Sequence, residues 1–568
     1  MKNSNYSDWS KEDFIKEIKK LEKRKKYGIV WDEEKTKETF DKESEGKLPI
    51  LKEVKSKEIQ TDNNSPTNIL IEGDNYHSLA VLKYTHQNSI DLIYIDPPYN
   101  TGSRSWKYNN NFIEKDDPFR HSKWISFIKK RLEIARDLLS KSGIILVTID
   151  DNELHPLGLL LDGIFREENR LGNICIVNKA DGRSDDKFIA TAHEYMLVYA
   201  KNQNFARINE LPLTEEQIIK TYRLEDSISR YQLKPIMSQG VESLRTDRPN
   251  LYYPIYYNPK NNTLSLEQTN SDFIEILPID VKGIERRWSS QKSRVLELIK
   301  NDELACKKST KNNNFSIFRK VRVKNTVKVK TFWNSPKYNA AAHGTKLLED
   351  IIGKNRMFEY PKSLYAVMDA VTVGAGKNSI VLDFFAGSGT TGHAVLELNK
   401  EDGGSRKFIL CTNNEGNICS EVCYPRLQKN IKGYTNTKNE KVKGLGGNLK
   451  YFKTDFVDGE PTDKNKKKLV DQCTEMLCLK EDCFAELKQT KNYSIFKNHE
   501  EKYLGIIYDD DGIEPLKKQI KSLGKKFNVY VFSLDDSARE EEFEDVKGMV
   551  DLKPIPEVIL NVYRRIFR

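Results

Sequence analysis

The chain has 568 residues, of which 38% are hydrophobic and 31% are charged, and its formal net charge is +9 at pH 7. This length is too great for one hydrophobic core and predicts two to four domains. We expect no membrane segment, because no apolar run approaches the ~20 residues that cross a bilayer and the N-terminus lacks the apolar core of a signal peptide. Eight irregularly spaced cysteines exclude a disulfide scaffold and favour a reduced cytoplasmic protein.

Residues 1–60 are charged and predict a helical N-terminal arm. Phe14, Ile15, Ile18 and Leu21 recur at helical spacing, and a basic run follows at residues 23–26. Such a run is as typical of a solvated helical face as of a contact with nucleic acid.

Apolar strands and helices alternate in residues 61–202, which predicts the first half of an α/β core. The predicted strands are 68–72, 90–95, 143–149 and 193–201, and the predicted helices are 78–84 and 124–139. Strands this apolar are usually covered on both faces, as in a parallel sheet with helices on each side.

Residues 203–338 differ in character and predict a separate insert. Tyrosine, asparagine, lysine and arginine are interleaved there, and the alternating stretch 321–333 predicts exposed strands. A pool of candidate nucleic-acid contacts lies in this insert: Arg245, Arg248, Arg286, Arg287 and Trp288.

The α/β pattern returns in residues 339–456, with predicted strands 380–384 and 408–412. A charged linker then leads to a small C-terminal α/β unit, residues 457–568, with strands 503–508 and 529–533 and a helix from Glu514. Cys473, Cys478 and Cys483 lack the spacing of zinc-binding cysteines, so we expect no metal.

The motif Asp96-Pro97-Pro98-Tyr99 directly follows the predicted strand 90–95, where ligands bind in an open parallel sheet. It suits methylation of an amine conjugated to an aromatic ring. Asp96 can accept one amino hydrogen and the Pro97 carbonyl the other, which aims the nitrogen lone pair at the methyl, and the two prolines stiffen the loop. Tyr99 offers a flat face for a base flipped out of a duplex. A structural turn is the alternative for so short a motif.

A second motif, residues 381–391, combines a strand, a small-residue turn and the start of a helix. Its glycines let the backbone approach a ligand, and the helix N-terminus offers unpaired N–H groups. S-adenosylmethionine, a nucleoside with a carboxylate, suits this turn. Gly387, Gly389 and Gly392 also match the dinucleotide pattern, so on this motif alone a nicotinamide enzyme is nearly as well supported. Only methyl transfer uses both motifs, which we expect to meet at one sheet edge.

With its motifs in this order, the chain resembles DNA amino-methyltransferases, most closely the modification subunits of type III restriction–modification systems. The segments that carry the resemblance include IEGDNYHSL, IYIDPPYNTG and LDFFAGSGTTGHAVLELN. It implies a circularly permuted, Rossmann-like methyltransferase fold with a mostly parallel sheet, an inserted target-recognition domain and a small C-terminal α/β unit.

The resemblance also implies roles for individual residues. Asp96, Pro97, Pro98 and Tyr99 would be catalytic. Asp74 would approach the cofactor adenine, Glu415 the ribose, with Asn413 or Asn414 as substitutes, and Lys362 the methionine moiety. The remaining residues of the implied cofactor pocket are Asp383, Phe384, Phe385, Ala386, Gly387, Ser388, Gly389 and Thr390.

Asp as the first residue of the tetrapeptide favours N6 of adenine over N4 of cytosine, for which Ser is more frequent. The resemblance further implies duplex DNA as the substrate, a homodimer and a helicase-like restriction partner. A solitary enzyme without a nuclease, an RNA methyltransferase and a nicotinamide-dependent protein are the alternatives.

Overall fold

The computed structural model describes residues 9–22, 31, 46–62, 65–108, 111–184, 186–308, 314–353, 358–460, 462–533, 537–555 and 559–561. The chain forms two compact units. The larger unit comprises Met1–Asn209 with Val329–Arg568, and the smaller unit comprises Glu210–Lys328.

A ten-stranded sheet forms the centre of the larger unit. In chain order its strands are β1 (Lys47–Glu53), β2 (Thr67–Glu72), β3 (Ile90–Ile95), β4 (Leu139–Ile149), β5 (Arg170–Val177), β6 (His193–Ala200), β7 (Phe332–Trp333), β8 (Ile380–Asp383), β9 (Lys407–Thr412) and β10 (Asn448–Asp458). Their spatial order is β1-β10-β2-β9-β8-β3-β4-β6-β5-β7.

The six strands from β10 to β4 in this spatial order run parallel to one another. Antiparallel pairs flank them, β1 with β10 on one side and β4 with β6, then β6 with β5, on the other. The predicted fold class, α/β with a mostly parallel sheet, is confirmed.

The helices, in chain order, are α1 (Lys11–Glu22), α2 (Asn75–Thr85), α3 (Arg120–Leu138), α4 (Leu154–Phe165), α5 (Glu215–Thr221), α6 (Lys292–Lys300), α7 (Lys346–Ile352), α8 (Leu364–Gly374), α9 (Thr390–Asp402), α10 (Tyr424–Lys432), α11 (Asp463–Asp471), α12 (Thr474–Glu481) and α13 (Ile513–Leu523). A short ladder pairs Ser103–Tyr108 with Asn111–Glu114. No helix in the described part of the chain is long and apolar enough to span a bilayer.

Helices cover the parallel strands because these strands are apolar along their whole length. In β3, five of the six side chains of IDLIYI are buried. Helix α8 packs on β3 and β4, α9 packs on β9, and α2 packs on β9 and β1. A parallel sheet of this composition is stable only when helices shield it from water.

The N-terminal segment differs from its prediction as one helical arm to residue 60. Lys47–Glu53 is strand β1, which pairs antiparallel with β10, and Ile50 and Leu51 are completely buried. The sequence could not predict this strand, since its partner lies about four hundred residues later. Among the described residues of this region, Lys11–Glu22 is an α-helix and Lys55–Lys57 a single 3-10 turn, and the basic run 23–26 lies outside the described residues.

The smaller unit contains a four-stranded sheet, a three-stranded sheet and a two-stranded pair. The strands of the first are Leu224–Glu225, Arg230–Pro235, Phe315–Arg322 and Leu304–Lys308; those of the second are Thr263–Ser265, Ile255–Asn258 and Ile274–Ile276; those of the pair are Thr326–Val327 and Leu211–Pro212. The predicted insert, 203–338, is wider than this unit, because Phe332–Trp333 is strand β7, parallel to β5 in the large sheet.

One candidate nucleic-acid contact in the insert is wrong. Trp288 is 2% exposed within the apolar core of the smaller unit, where its Nε1 donates to the Tyr253 carbonyl at 2.7 Å. The four candidate arginines have partners inside the insert: Arg245 with Glu285, Arg248 with Glu242, Arg286 with Asp280, and Arg287 with the Glu242 carbonyl. A surface tryptophan and a core tryptophan cannot be told apart in a segment with so little periodicity.

The C-terminal part of the larger unit contains a five-stranded sheet. Its strands, in chain and spatial order, are β11 (Ala485–Gln489), β12 (Tyr493–Lys497), β13 (Tyr503–Ile507), β14 (Phe527–Phe532) and β15 (Val550–Ile555). The last three run parallel, and β13, α13 and β14 coincide with the strand, helix and strand predicted there. Cys473, Cys478 and Cys483 are buried free thiols.

Candidate active site

The two motif strands are neighbours in the sheet. β3 and β8 run parallel with Leu92 opposite Val381, although these strands are far apart in the chain. The tetrapeptide that starts at Asp96 and the turn that starts at Phe384 therefore leave the same edge of the sheet, where open α/β folds bind ligands.

A cavity of about 630 Å³ lies at this edge. The residues of the two motifs and their neighbours that line it are Asp74, Asp96, Pro98, Lys362, Asp383, Phe384, Phe385, Ala386, Gly387, Ser388, Thr390 and Glu415. The predicted site residues Pro97, Tyr99 and Gly389 do not line it. The volume is within the range of small-molecule sites, about 300–1,000 Å³.

Asp96 is held by two side chains at the end of β3. The Thr148 hydroxyl donates to its Oδ1 atom at 2.7 Å, and the Lys362 ammonium lies 3.0 Å from the same oxygen. The Asp96 carboxylate is only partly buried, so its orientation is fixed while it still faces the cavity.

Tyr99 is tied to two charged groups. Its hydroxyl donates to Glu194 Oε2 at 3.0 Å and accepts from Lys362 Nζ at 2.5 Å. The Lys362 ammonium also lies 4.5 Å from the centre of the Tyr99 ring. Burial and the nearby charges of Asp96 and Glu194 raise the pKa of Tyr99 above its ordinary value. Lys362, predicted to contact the methionine moiety, thus links Asp96 and Tyr99, the two side chains predicted to be catalytic.

Glu194 is a site residue that the sequence prediction missed. It is 5% exposed and accepts hydrogen bonds from Tyr99 and, at 2.8 Å, from Lys362. It lies in β6, which pairs antiparallel with β4. An acidic residue at the start of the mostly apolar stretch HEYMLVYAK was the only signal for it.

The loop around the two prolines is fixed from outside the cavity. The Pro98 carbonyl accepts from Trp124 Nε1 at 2.6 Å, and Trp124 is completely buried. Asn100 has a positive φ of 56°, and its side chain donates to the buried carboxylate of Glu153. These bonds limit movement of the tetrapeptide; the role predicted for the Pro97 carbonyl stays a prediction.

The glycine-rich turn is organised by Asp383. This carboxylate accepts from the Phe385 N–H at 3.0 Å and from the Thr391 hydroxyl at 2.5 Å. Burial raises the pKa of Asp383 to about 7, against the lowering effect of those two hydrogen bonds. Gly387 and Gly389 have φ of +49° and +77°, which side chains rarely adopt.

Asp74 lines the cavity and also organises the start of α2. Its Oδ1 accepts from the Tyr76 N–H at 2.8 Å, as an N-cap. Asn75 donates to the Phe384 carbonyl at 3.0 Å and so joins this turn to the glycine-rich turn. The buried Arg131 donates to Asn75 at 2.5 Å and lies 3.4 Å from Asp74 Oδ2.

The acidic residue after β9 lies at the cavity surface. Glu415 is exposed and lines the cavity, as does Asn413. Asn414 does not line it, and its side chain accepts from the Ser420 N–H instead. Of the residues predicted for ribose binding, Glu415 and Asn413 line the cavity, and their contact with a ribose stays a prediction.

Residues 90–420 match the N6_N4_Mtase family, described as DNA methylase. This match spans both motifs and the insert between them. The chain belongs to this family.

Several relatives of this DNA methylase are restriction–modification proteins. It is 35% identical to the type II methyltransferase M.KpnI of Klebsiella pneumoniae, over 69% of this chain and 92% of that protein. It is 32% identical to the type III EcoPI Mod subunit of Escherichia phage P1, over 69% of this chain and 67% of that protein. The resemblance predicted from the motifs is confirmed.

Solved DNA methyltransferases are also similar to this DNA methylase. The match to PvuII DNA methyltransferase, described as cytosine-N4-specific, has a TM-score of 0.29 and 12% identity over 62% of this chain and 86% of that chain. The match to M1.HpyAVI has a TM-score of 0.27 and 15% identity over 64% of this chain and 97% of that chain.

Proposed function

We propose that this DNA methylase transfers a methyl group from S-adenosylmethionine to N6 of an adenine flipped out of duplex DNA, as the modification subunit of a type III restriction–modification system. The observation that carries the proposal is one cavity lined both by Asp96 and by the glycine-rich turn from Phe384 to Thr390. A methyl acceptor and a methyl donor can meet there.

The tetrapeptide supplies acceptors for the target amine. An exocyclic amine on a base is a poor nucleophile because its lone pair is delocalised into the ring. Asp96, fixed by Thr148 and Lys362, can accept one amino hydrogen and so favours a nitrogen whose lone pair points at the methyl. The methylated nitrogen then releases its proton, and no strong base is needed.

The other end of the cavity fits S-adenosylmethionine, which supplies an electrophilic methyl group on a sulfonium. Asp74 and Glu415 are acceptors for hydroxyl or amino groups, and Phe385 offers an apolar face. A Cβ at Gly387 would lie 2.9 Å from Phe358 Cζ. The backbone therefore lies close to the Phe358 ring, which also lines the cavity, and a glycine makes this close approach possible.

Adenine is the proposed target because the tetrapeptide begins with Asp96, and type III modification is proposed because four of the relatives are type III Mod subunits. We also propose that the enzyme acts as a homodimer. Light scattering of the purified protein should then give twice the chain mass of 65.8 kDa.

Long-read sequencing of DNA treated with the protein and S-adenosylmethionine tests the function. We expect N6-methyladenine in one sequence context, and no modification by the Asp96→Ala variant. Modified cytosine would refute the adenine assignment. DNA that stays unmodified in the presence of S-adenosylmethionine would refute methyl transfer.

A second candidate is a solitary methyltransferase without a nuclease partner. The similarity to a type II methyltransferase over 92% of its length favours it. Co-expression with the product of an adjoining restriction-type gene, followed by affinity purification of this chain, separates the two. Recovery of a stoichiometric complex supports the type III assignment, and the absence of such a gene supports the solitary enzyme.

A further inference from the structure

Arg426, in α10, is a buried cation that has no carboxylate partner among the described residues. It is completely buried, and burial lowers its pKa to about 10, so it remains charged at neutral pH. Arg131 and Arg406 are the other buried arginines of the described residues, and each has a carboxylate partner, Asp74 and Asp402. Burying an unpaired charge costs several kcal/mol, which requires a compensating group.

The partners of Arg426 are neutral and belong to the glycine-rich turn and α9. Its Nη1 atom donates to the Thr390 hydroxyl at 2.8 Å and to the Ser388 hydroxyl at 3.2 Å, with the Ser388 carbonyl at 3.5 Å. Its Nη2 atom lies 3.3 Å from His393 Nδ1, and burial lowers the pKa of that imidazole to about 4. In the described part of the chain, its Nε atom has no hydrogen-bond partner.

These contacts determine the hydrogen-bonding direction of two hydroxyls that line the cavity. A guanidinium has only donors, so Ser388 and Thr390 accept from Arg426 and keep their own hydrogens to donate. The two oxygens are 3.2 Å apart, and at most one of the hydrogens can be shared between them. At least one hydroxyl hydrogen is therefore left to donate elsewhere, and both residues line the cavity next to a buried positive charge.

Three other charged groups of the cavity reinforce this polarity. Asp74, Asp96 and Glu415 line it, and they would repel an anionic ligand group from their side. Lys362 also lines the cavity, but its charge is offset by Asp96 and Glu194, and the Asp383 carboxylate accepts from the Phe385 N–H and the Thr391 hydroxyl. A ligand that carries both positive and negative charges is thus oriented with its anion toward Ser388 and Thr390.

We propose that Arg426 is the residue that selects the carboxylate of the methyl donor, acting through the Ser388 and Thr390 hydroxyls. The ligand carboxylate would balance the positive charge of Arg426, for which the described residues provide no carboxylate. Arg426 is thus a positioning residue rather than a catalytic one. This inference rests on the proposed function, because it takes S-adenosylmethionine as the ligand.

Calorimetry with S-adenosylmethionine and its decarboxylated analogue, which keeps the sulfonium and the amine, tests the inference. We expect the wild-type protein to prefer S-adenosylmethionine by about 10- to 100-fold, as for a hydrogen bond to a charged group. Arg426→Met should remove most of this preference while changing affinity for the analogue by less than about threefold. Arg426→Lys should restore part of it.

Arg406→Met is the matched control, because Arg406 is equally buried but is paired with Asp402 and lies outside the cavity lining; it should keep the full preference. Equal affinity of the wild-type protein for both ligands would overturn the inference, as would a parallel loss of both in Arg426→Met. If Arg426→Met does not fold, Arg426→Gln provides the same comparison. Failure of the wild-type protein to bind either ligand would instead refute the proposed function.

Discussion

The Nζ atom of Lys362 lies 3.0 Å from Oδ1 of Asp96. The same ammonium lies 2.8 Å from Glu194, so one cation is shared by two carboxylates at the proposed site of methyl transfer. Burial lowers the pKa of Lys362, but the charges of Asp96 and Glu194 outweigh this effect and raise it overall. Lys362 therefore offsets both negative charges while it fixes Asp96 and Tyr99 relative to each other.

Replacement of Lys362 should reduce catalysis more than cofactor binding. In Lys362→Met the two carboxylates would repel each other and Tyr99 would lose one partner, and we expect kcat to fall by about tenfold or more. Lys362→Arg should retain part of the activity. Single-turnover methylation and calorimetry with S-adenosylmethionine measure the two effects. Lys337→Met removes a comparable ion pair, with Asp369, outside the cavity lining and should keep the wild-type kcat; an unchanged kcat in Lys362→Met would contradict the shared-cation role.

Asp96→Ala and Tyr99→Ala should abolish methyl transfer while leaving affinity for S-adenosylmethionine within about threefold. Loss of one preorganised acceptor at a reacting group costs about 10²–10³ in kcat. Tyr99 does not line the cavity, and the contacts that its loss would release are those with Glu194 and Lys362; base stacking is the second role, predicted from the sequence. Tyr99→Phe, which keeps the ring and loses the hydroxyl, separates these effects. Methylation at the wild-type rate by both alanine variants would exclude the tetrapeptide mechanism.

Gly387→Val should weaken binding of S-adenosylmethionine by about tenfold or more, the equivalent of about 1.4 kcal/mol. The added side chain would meet Phe358 at 2.9 Å in a backbone with φ of +49°. Gly403→Val is the control, because Gly403 also has a positive φ, +66°, but open space around its Cβ position. We expect that variant to lose stability and keep its affinity. Calorimetric titration of both proteins would refute the pocket assignment if Gly387→Val bound normally.

Asp383 should make the stability of the protein fall as the pH rises. The pKa of Asp383 is about 7 in the folded protein, against an ordinary value of 3.8. The contribution of the protonated carboxyl to the free energy of unfolding is therefore complete below pH 3.8 and is lost as the pH rises through 7. The loss is about 1.4 kcal/mol per pH unit between these values. Asp383→Asn cannot titrate, and the melting temperature of the wild-type protein relative to this variant should therefore decrease from pH 5 to pH 8. A constant difference over this range would show that Asp383 does not titrate there.

The meeting of the two motifs could be predicted from the sequence, because each motif follows an apolar strand and strands of an open parallel sheet bind ligands at one edge. Asp96 and Phe385 required no tertiary information. Glu194 and Arg426 were missed, since their importance comes from contacts with Lys362 and Ser388 that no local pattern encodes.

The errors in the fold prediction have the same origin. The strand Lys47–Glu53 forms because it pairs with β10. Phe332–Trp333 belongs to the large sheet because it pairs with β5. Both segments are short, and their own residues do not distinguish a sheet edge from an arm or a loop. Long apolar strands such as β3 and β4 were predicted because a continuous run of apolar residues indicates a strand that is buried on both faces.

The position of β8 and β9 between β2 and β3 has a consequence for synthesis on the ribosome. The Ile380 N–H donates to Asp91 across 289 residues of sequence, and translation at about 5–20 residues per second needs roughly 15–60 seconds to span that distance. During this interval the nascent chain contains β2 and β3 but not the strands that separate them in the sheet. Strand edges without their partners can pair with other chains, so this topology leaves β2 and β3 open to mispairing until translation reaches β9.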